Sequence, residues 1–157
     1  MSGNESSADF SDYTKGVEFG LLAYVRSDGT PIQRRLGSFA TRSRDIVFST
    51  RSDASKVGEL QRHSRASFLF EPEGQKLNDW RSALFLGTTT IVENETDLAN
   101  AVQALSARNP RFKARVERDG LANVRIFSLR PESVEIVDYS KGVGHSEKIS
   151  FAKNEEV

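Results

Sequence analysis

IVFSTRSDASKVGEL, residues 46–60, changes character halfway along. Ile46 to Thr50 is a short and nearly continuous apolar run, the pattern of a strand buried on both faces. From Ser52 to His63 the period lengthens. Ala54, Val57 and Leu60 recur three apart, which gives one buried stripe on a helix, and Ser52 or Asp53 can cap its start. A strand that runs straight into a helix leaves free backbone N–H groups and a partial positive charge at the junction. Thr50, Ser52, Ser55 and Lys56 fall there, so the junction reads as a candidate phosphate site.

Upstream, residues 17–26 (VEFGLLAYVR) form an apolar, β-branched and aromatic run, hence a strand. Ser27-Asp28-Gly29 supplies a turn, and residues 32–40 (IQRRLGSFA) return as the second strand of a hairpin. This second strand is expected to lie beside the 46–50 strand. Side chains alternate along a strand, so one of Arg34 and Arg35 is expected to face the candidate phosphate site. Residues 41–45 read as the turn between them.

Downstream, strands are expected over 66–71 and 81–92, separated by a loop at 72–79, with Gly87 marking a bulge or bend. Residues 96–108 form an amphipathic helix that Asn109-Pro110 ends. Residues 111–120 are compatible with a helical turn or a loop. Two further strands, 124–129 and 134–137, are separated by Arg130-Pro131-Glu132, and a short strand is possible near 149–151. The expected organisation is a flexible arm over 1–12, one domain over 13–138 and a polar extension over 139–157. Six or seven strands with two helices in one domain imply a small mixed barrel, its open seam covered by the helices.

The totals narrow the function. The chain has 157 residues, 22 Lys+Arg against 22 Asp+Glu, and no cysteine. The charge balance gives no global attraction to nucleic acid or anionic membrane. Disulfides, thiolate metal sites and a cysteine nucleophile are excluded. Only His63 and His145 carry imidazole, and neither belongs to a metal-ligand or triad spacing; no glycine-rich nucleotide motif is present. The polar, acidic N-terminus lacks the pattern of a signal peptide, so a cytoplasmic location is expected.

Several short segments, taken in order, resemble one family. Asp28-Gly29-Thr30-Pro31-Ile32-Gln33-Arg34 is similar to the hairpin of the pyridoxamine 5′-phosphate oxidase-like, FMN-binding split-barrel flavoproteins. Residues 46–60 resemble their strand-Thr element followed by Ser-x-Lys-x-x-x-Leu. Trp80 to Gly87 resembles their strand with Arg and Gly, and Pro131-Glu132-Ser133-Val134-Glu135 their closing strand. The resemblance spans about residues 17–138. It implies a mainly β fold with some α: a six- to seven-stranded split β-barrel with two or three flanking helices.

It also implies a homodimer that holds FMN in clefts between subunits, and an FMN-dependent oxidoreductase of unassigned substrate. By position, Arg34 and Lys56 would take the FMN phosphate, with Ser55 beside them. The backbone of Arg35, Leu36, Gly37 and Ser38 would line the isoalloxazine, and Ser49 and Thr50 would touch the ring or ribityl chain. Ser82 falls where the oxidases place Gln near the ring.

The chain also departs from the oxidase pattern. Ala54-Ser55-Lys56 stands for Ser-Arg-Lys, Phe39 for Lys, and nothing after residue 138 matches the oxidases' Arg/Trp substrate elements. Vitamin B6 oxidation is therefore not expected. A deazaflavin or haem in the same cleft, a non-catalytic stress-related binding protein, and a cofactor-free dimeric scaffold are the alternatives.

Overall fold

The expected hairpin forms where the Asp-Gly turn was read. In the computed structural model, which describes residues 13–151, β1 (Gly20–Val25) pairs antiparallel with β2 (Pro31–Leu36). Asp28 accepts the Thr30 N–H at 3.0 Å, and Gly29, at φ 88°, donates to the Arg26 carbonyl. That left-handed φ is why glycine suits the turn. The arm assigned to residues 1–12, and residues 152–157 of the extension, lie outside the described residues.

The second strand does not continue to residue 40. It breaks at Gly37-Ser38, and β3 (Phe39–Arg42) begins a new pairing with β4 (Asp45–Arg51) around a tight turn in which Ser43 has φ 56°. The expectation that Arg34 and Arg35 lie on the neighbour of the 46–50 strand is thus corrected: β2 pairs with β1, and β3 is the strand beside β4. The sheet path is β2-β1-β5-β6-β7-β4-β3, with β5 (Arg65–Phe70), β6 (Arg81–Ile91) and β7 (Val124–Asp138) at its centre. Its two end strands are consecutive in sequence, so the sheet curls until its edges nearly meet at Gly37-Ser38. This is a split barrel. There the Ser49 N–H donates to the Ser38 carbonyl at 3.1 Å, and the two serine hydroxyls share a hydrogen bond.

The segments read as separate strands around Pro131 form the single strand β7. Its first half lies between β4 and β6; its second half lies between β6 and β8 (Ser146–Ser150). Opposite Pro131, which has no N–H to donate, the ladder shifts register between Leu86 and Gly87. A Cβ at Gly87 would sit 2.0 Å from the Arg130 carbonyl oxygen, so only glycine lets the two backbones approach at this bend.

Among the described residues three α-helices flank the sheet: α1 (Ser55–Arg62), α2 (Glu95–Arg108) and α3 (Pro110–Asp119). The last occupies the stretch the sequence left between helix and loop. Neither Ser52 nor Asp53 caps α1. The N-cap is Ala54, without a side-chain hydrogen bond, and Asp53 pairs instead with Arg51 at 2.7 Å.

Alternating residues of the strands fill the barrel, with Leu22, Phe39, Phe48, Phe68, Phe70, Phe85 and Phe127 essentially inaccessible. Phe68 and Phe70 stack at 5.3 Å between ring centroids, and Phe48 and Phe127 at 5.6 Å. Each such ring buried contributes roughly 1.5–3 kcal/mol. Phe39, the departure from a family lysine, belongs to this core and lies 5.0 Å from Phe70. A second cluster joins Ala40, Val47, Val124 and Ile126 to Ala101 and Leu105 of α2 and Phe112 of α3. It seats α2 and α3 against the β3–β4 end of the sheet.

Candidate anion-binding cleft

Strand β4 delivers Ser49, Thr50 and Arg51 to the edge of the sheet just before α1. Ser38 meets them from the β2–β3 break, and α3 closes the far wall. The result is a cleft of about 350 Å³ lined by Ser38, Ser49, Thr50, Arg51, Ala54, Lys56, Asn109, Arg111, Phe112 and Arg115. Its floor is hydroxylic and its rim cationic. No carboxylate is among its lining residues.

Three local features hold this shape. Asn109 accepts the backbone N–H groups of Arg111 and Phe112 at 3.0 and 3.2 Å, which caps α3. The same side chain donates to the Gly37 carbonyl at 3.4 Å, tying the helix start to the strand break. Phe112 is buried in the second core, and Arg111 and Arg115, one turn apart, share the helix face on the cleft.

Lys56 is half-buried at the start of α1. Burial, and secondarily the Arg34 guanidinium, hold its ammonium below the ordinary lysine pKa. Of the two arginines on β2, Arg34 is therefore the one within electrostatic reach of the cleft. Arg35 pairs with Leu21 across the ladder on the opposite face, its guanidinium 4.4 Å from the centre of the Phe19 ring. Among the described residues, neither Lys56, Arg111 nor Arg115 has a carboxylate within 4 Å, although Asp119 feels Arg115 electrostatically.

The cleft thus brings together Ser38, Ser49, Thr50 and Lys56 of the residues singled out in the sequence. Gly37 adjoins it through its carbonyl, and Leu36 packs against the core. Ser55 is exposed and does not line it. Ser82 pairs with Val137 at the other end of β7 from Arg125, the partner of Thr50, so one chain does not bring Ser82 to this cleft. Asn109, Arg111 and Arg115 were missed. Their signal was present, since Phe112 and Val116 are spaced for one face of a helix that would carry the arginines beside it.

A larger groove, about 960 Å³, runs over the outer side of β4, β6 and β7. Two of its four lining arginines are paired with carboxylates. Arg65 reaches Glu132 at 2.9 Å, Thr88 donates to the same carboxylate at 3.0 Å, and Arg130 meets Asp45 at 3.2 Å. Arg44 lies over the Phe151 ring at 4.7 Å. His145 lies near neither; its Nε2 is 3.8 Å from Glu147 on β8.

The family model described as pyridoxamine 5′-phosphate oxidase matches residues 8–138. No protein with a curated description matches the chain. Among solved structures, a haem-binding protein from Mycobacterium smegmatis is similar over 92% of this chain at 18% identity and a TM-score of 0.75; this chain spans 57% of that protein. A conserved hypothetical protein from Mycobacterium tuberculosis is similar at 23% identity and a TM-score of 0.72, over 98% of this chain and 94% of its own. General stress protein 26 from Bacillus anthracis matches at 19% identity and 0.67, over 96% of this chain and 100% of its own. At these identities the likeness carries the fold.

Proposed function

The chain belongs to the pyridoxamine 5′-phosphate oxidase family, and on that premise we propose that it is an FMN-binding oxidoreductase whose cofactor phosphate sits in the cationic cleft. The observation that carries this reading is a hydroxylic pocket rimmed by Lys56, Arg111 and Arg115 with no lining carboxylate. Those groups fit a phosphate ester. Lys56 and Arg34 would neutralise the dianion by charge-assisted contacts. Ser38, Ser49 and Thr50 would hydrogen-bond the ribityl hydroxyls. The flavin, when bound, supplies the electron chemistry; the chain binds, orients and shields it.

The cleft is at the small end for a ligand site, so the ring system would extend beyond it. A homodimer would complete the site. The outer face of the central strands supports that arrangement: Leu21, Leu69 and Leu84 stand in register across β1, β5 and β6, with Ala23, Leu86 and Val137 around them, all half-exposed. Ser82 lies on the same face as Leu84 and Leu86, so a partner subunit could bring its own copy toward the ring.

Two similar structures are described as haem proteins, one haem-binding and one a haem storage protein. In this chain the cleft lining holds no His, Cys, Met or Tyr to ligate iron, which favours a phosphate-bearing cofactor. A deazaflavin phosphate would meet the same groups. Vitamin B6 oxidation is not part of the proposal, for Ser82 is shorter than the Gln of the oxidase pattern.

The test is an absorbance spectrum of the purified protein, then an FMN titration followed by flavin fluorescence. Binding at micromolar FMN or tighter is expected. A colourless protein that leaves FMN fluorescence unchanged would overturn the reading. Sedimentation at twice 17.5 kDa is expected alongside, and a monomer would remove the dimeric site.

A further inference from the structure

A phosphate monoester carries two charges at most, and the cleft offers more than that. Lys56 and Arg34 approach from the α1 side. Arg111 and Arg115 stand on the α3 side, one helical turn apart on a helix anchored by Phe112 and tied to Gly37 through Asn109. Arg51 lies between the two pairs but is engaged by Asp53 at 2.7 Å. Once Lys56 and Arg34 have met a monoester dianion, the two α3 guanidiniums remain, and Asp119 is near enough to Arg115 to feel its charge. Asp119 is itself chelated by Arg118 at 3.0 Å.

We propose that Arg111 and Arg115 form a second anion subsite next to the Lys56 phosphate position, so that the cleft holds two adjacent phosphoryl groups more tightly than a single phosphate. Two guanidiniums one helical turn apart suit a second phosphoryl group better than they suit hydroxyls, because each can donate a pair of N–H bonds to its oxygens. Lys56, whose ammonium is disfavoured by burial and by Arg34, gains from the first phosphoryl group, and the α3 arginines are left to meet the second. The subsite rests on reading the cleft as a phosphate site but not on the flavin.

The test is calorimetric titration of the full chain with inorganic phosphate and with pyrophosphate at matched pH and ionic strength. Pyrophosphate is expected to bind roughly tenfold or more tightly than phosphate. The double variant Arg111→Gln/Arg115→Gln should lose most of that preference and keep its phosphate affinity within about twofold. Lys56→Gln should weaken both ligands. Lys113→Gln, exposed on the same helix and off the cleft, should change neither and controls for general loss of positive charge. Equal affinity for the two anions, or a preference that survives the double variant, would overturn the subsite. A pyrophosphate preference that depends on Arg111 and Arg115 in a protein that ignores FMN would uphold the subsite and sink the flavin reading, so the two fail separately.

Discussion

Two grooves flank β4, and they treat positive charge in opposite ways. Over the outer face of β4, β6 and β7, Arg65 and Arg130 meet Glu132 and Asp45, so the guanidiniums act as ties between strands. In the smaller cleft behind Ser38 and Thr50, Lys56, Arg111 and Arg115 converge without a carboxylate among the lining residues. The chain as a whole is balanced at 22 charges of each sign. The imbalance in the cleft is therefore local, and net charge could not have revealed it. The lesson is that cavity size is the poorer guide here. The larger groove carries carboxylates that pair with Arg65 and Arg130, whereas the lining of the smaller one has none.

That contrast breaks most sharply if the cleft is given a carboxylate of its own. Lys56→Glu removes one charge-assisted contact worth on the order of 1.5–3 kcal/mol and adds repulsion. FMN affinity is expected to fall by about a hundredfold, read by fluorescence titration, with the thermal unfolding midpoint hardly moved because the side chain is only half-buried.

A gentler way to turn off the same cation is pH. The folded-state pKa of Lys56 lies below its unfolded value. Between the two the unfolded chain holds more protons at this site than the folded one, so the contribution of Lys56 to stability rises as pH rises through that window. Anion binding runs the other way, since it needs the ammonium. Affinity for phosphate should decline as pH climbs through the lowered Lys56 value. Lys56→Arg should flatten the decline, and a titration series from neutral to alkaline pH reads both.

The smallest effect belongs to the neutralised groove. Asp45→Asn breaks an exposed pair with Arg130, and such pairs contribute about 0.2–1 kcal/mol. A slight drop in denaturant midpoint is expected, with FMN affinity unchanged. A large loss of flavin binding from this substitution would erase the distinction between the grooves.

The sequence was legible wherever local chemistry decided the outcome. Asp28-Gly29 makes its turn, Gly87 sits at its bulge, and Ile46 to Thr50 runs into a helix. It was misleading wherever long-range pairing decided. Nothing local in residues 32–40 says that Gly37-Ser38 separates the two edges of the sheet. A sequence neighbour was therefore mistaken for a spatial one, and β2 was set beside β4. Pro131 read as an end of strand because proline breaks ladders. The ladder continues past it because Glu132 of β7 is left unpaired opposite the Leu86–Gly87 step and Gly87 of the partner strand lets the backbones approach, a pairing that β7 alone does not show. The site was half legible for the same reason. Ser38, Ser49, Thr50 and Lys56 come from the strand–helix junction, which local pattern marks. Arg111 and Arg115 arrive on a helix from across the fold, placed there by the burial of Phe112.

The side chain of Asn109 shows how finely the cleft is hung. Its oxygen serves the helix and its nitrogen serves the barrel. Aspartate in its place would still cap α3 yet would face the Gly37 carbonyl with an acceptor, and an aliphatic residue would do neither. The joint between α3 and the strand break thus depends on which end of one amide carries hydrogen. Whatever orients that amide also sets how far the two arginines stand from the rest of the site.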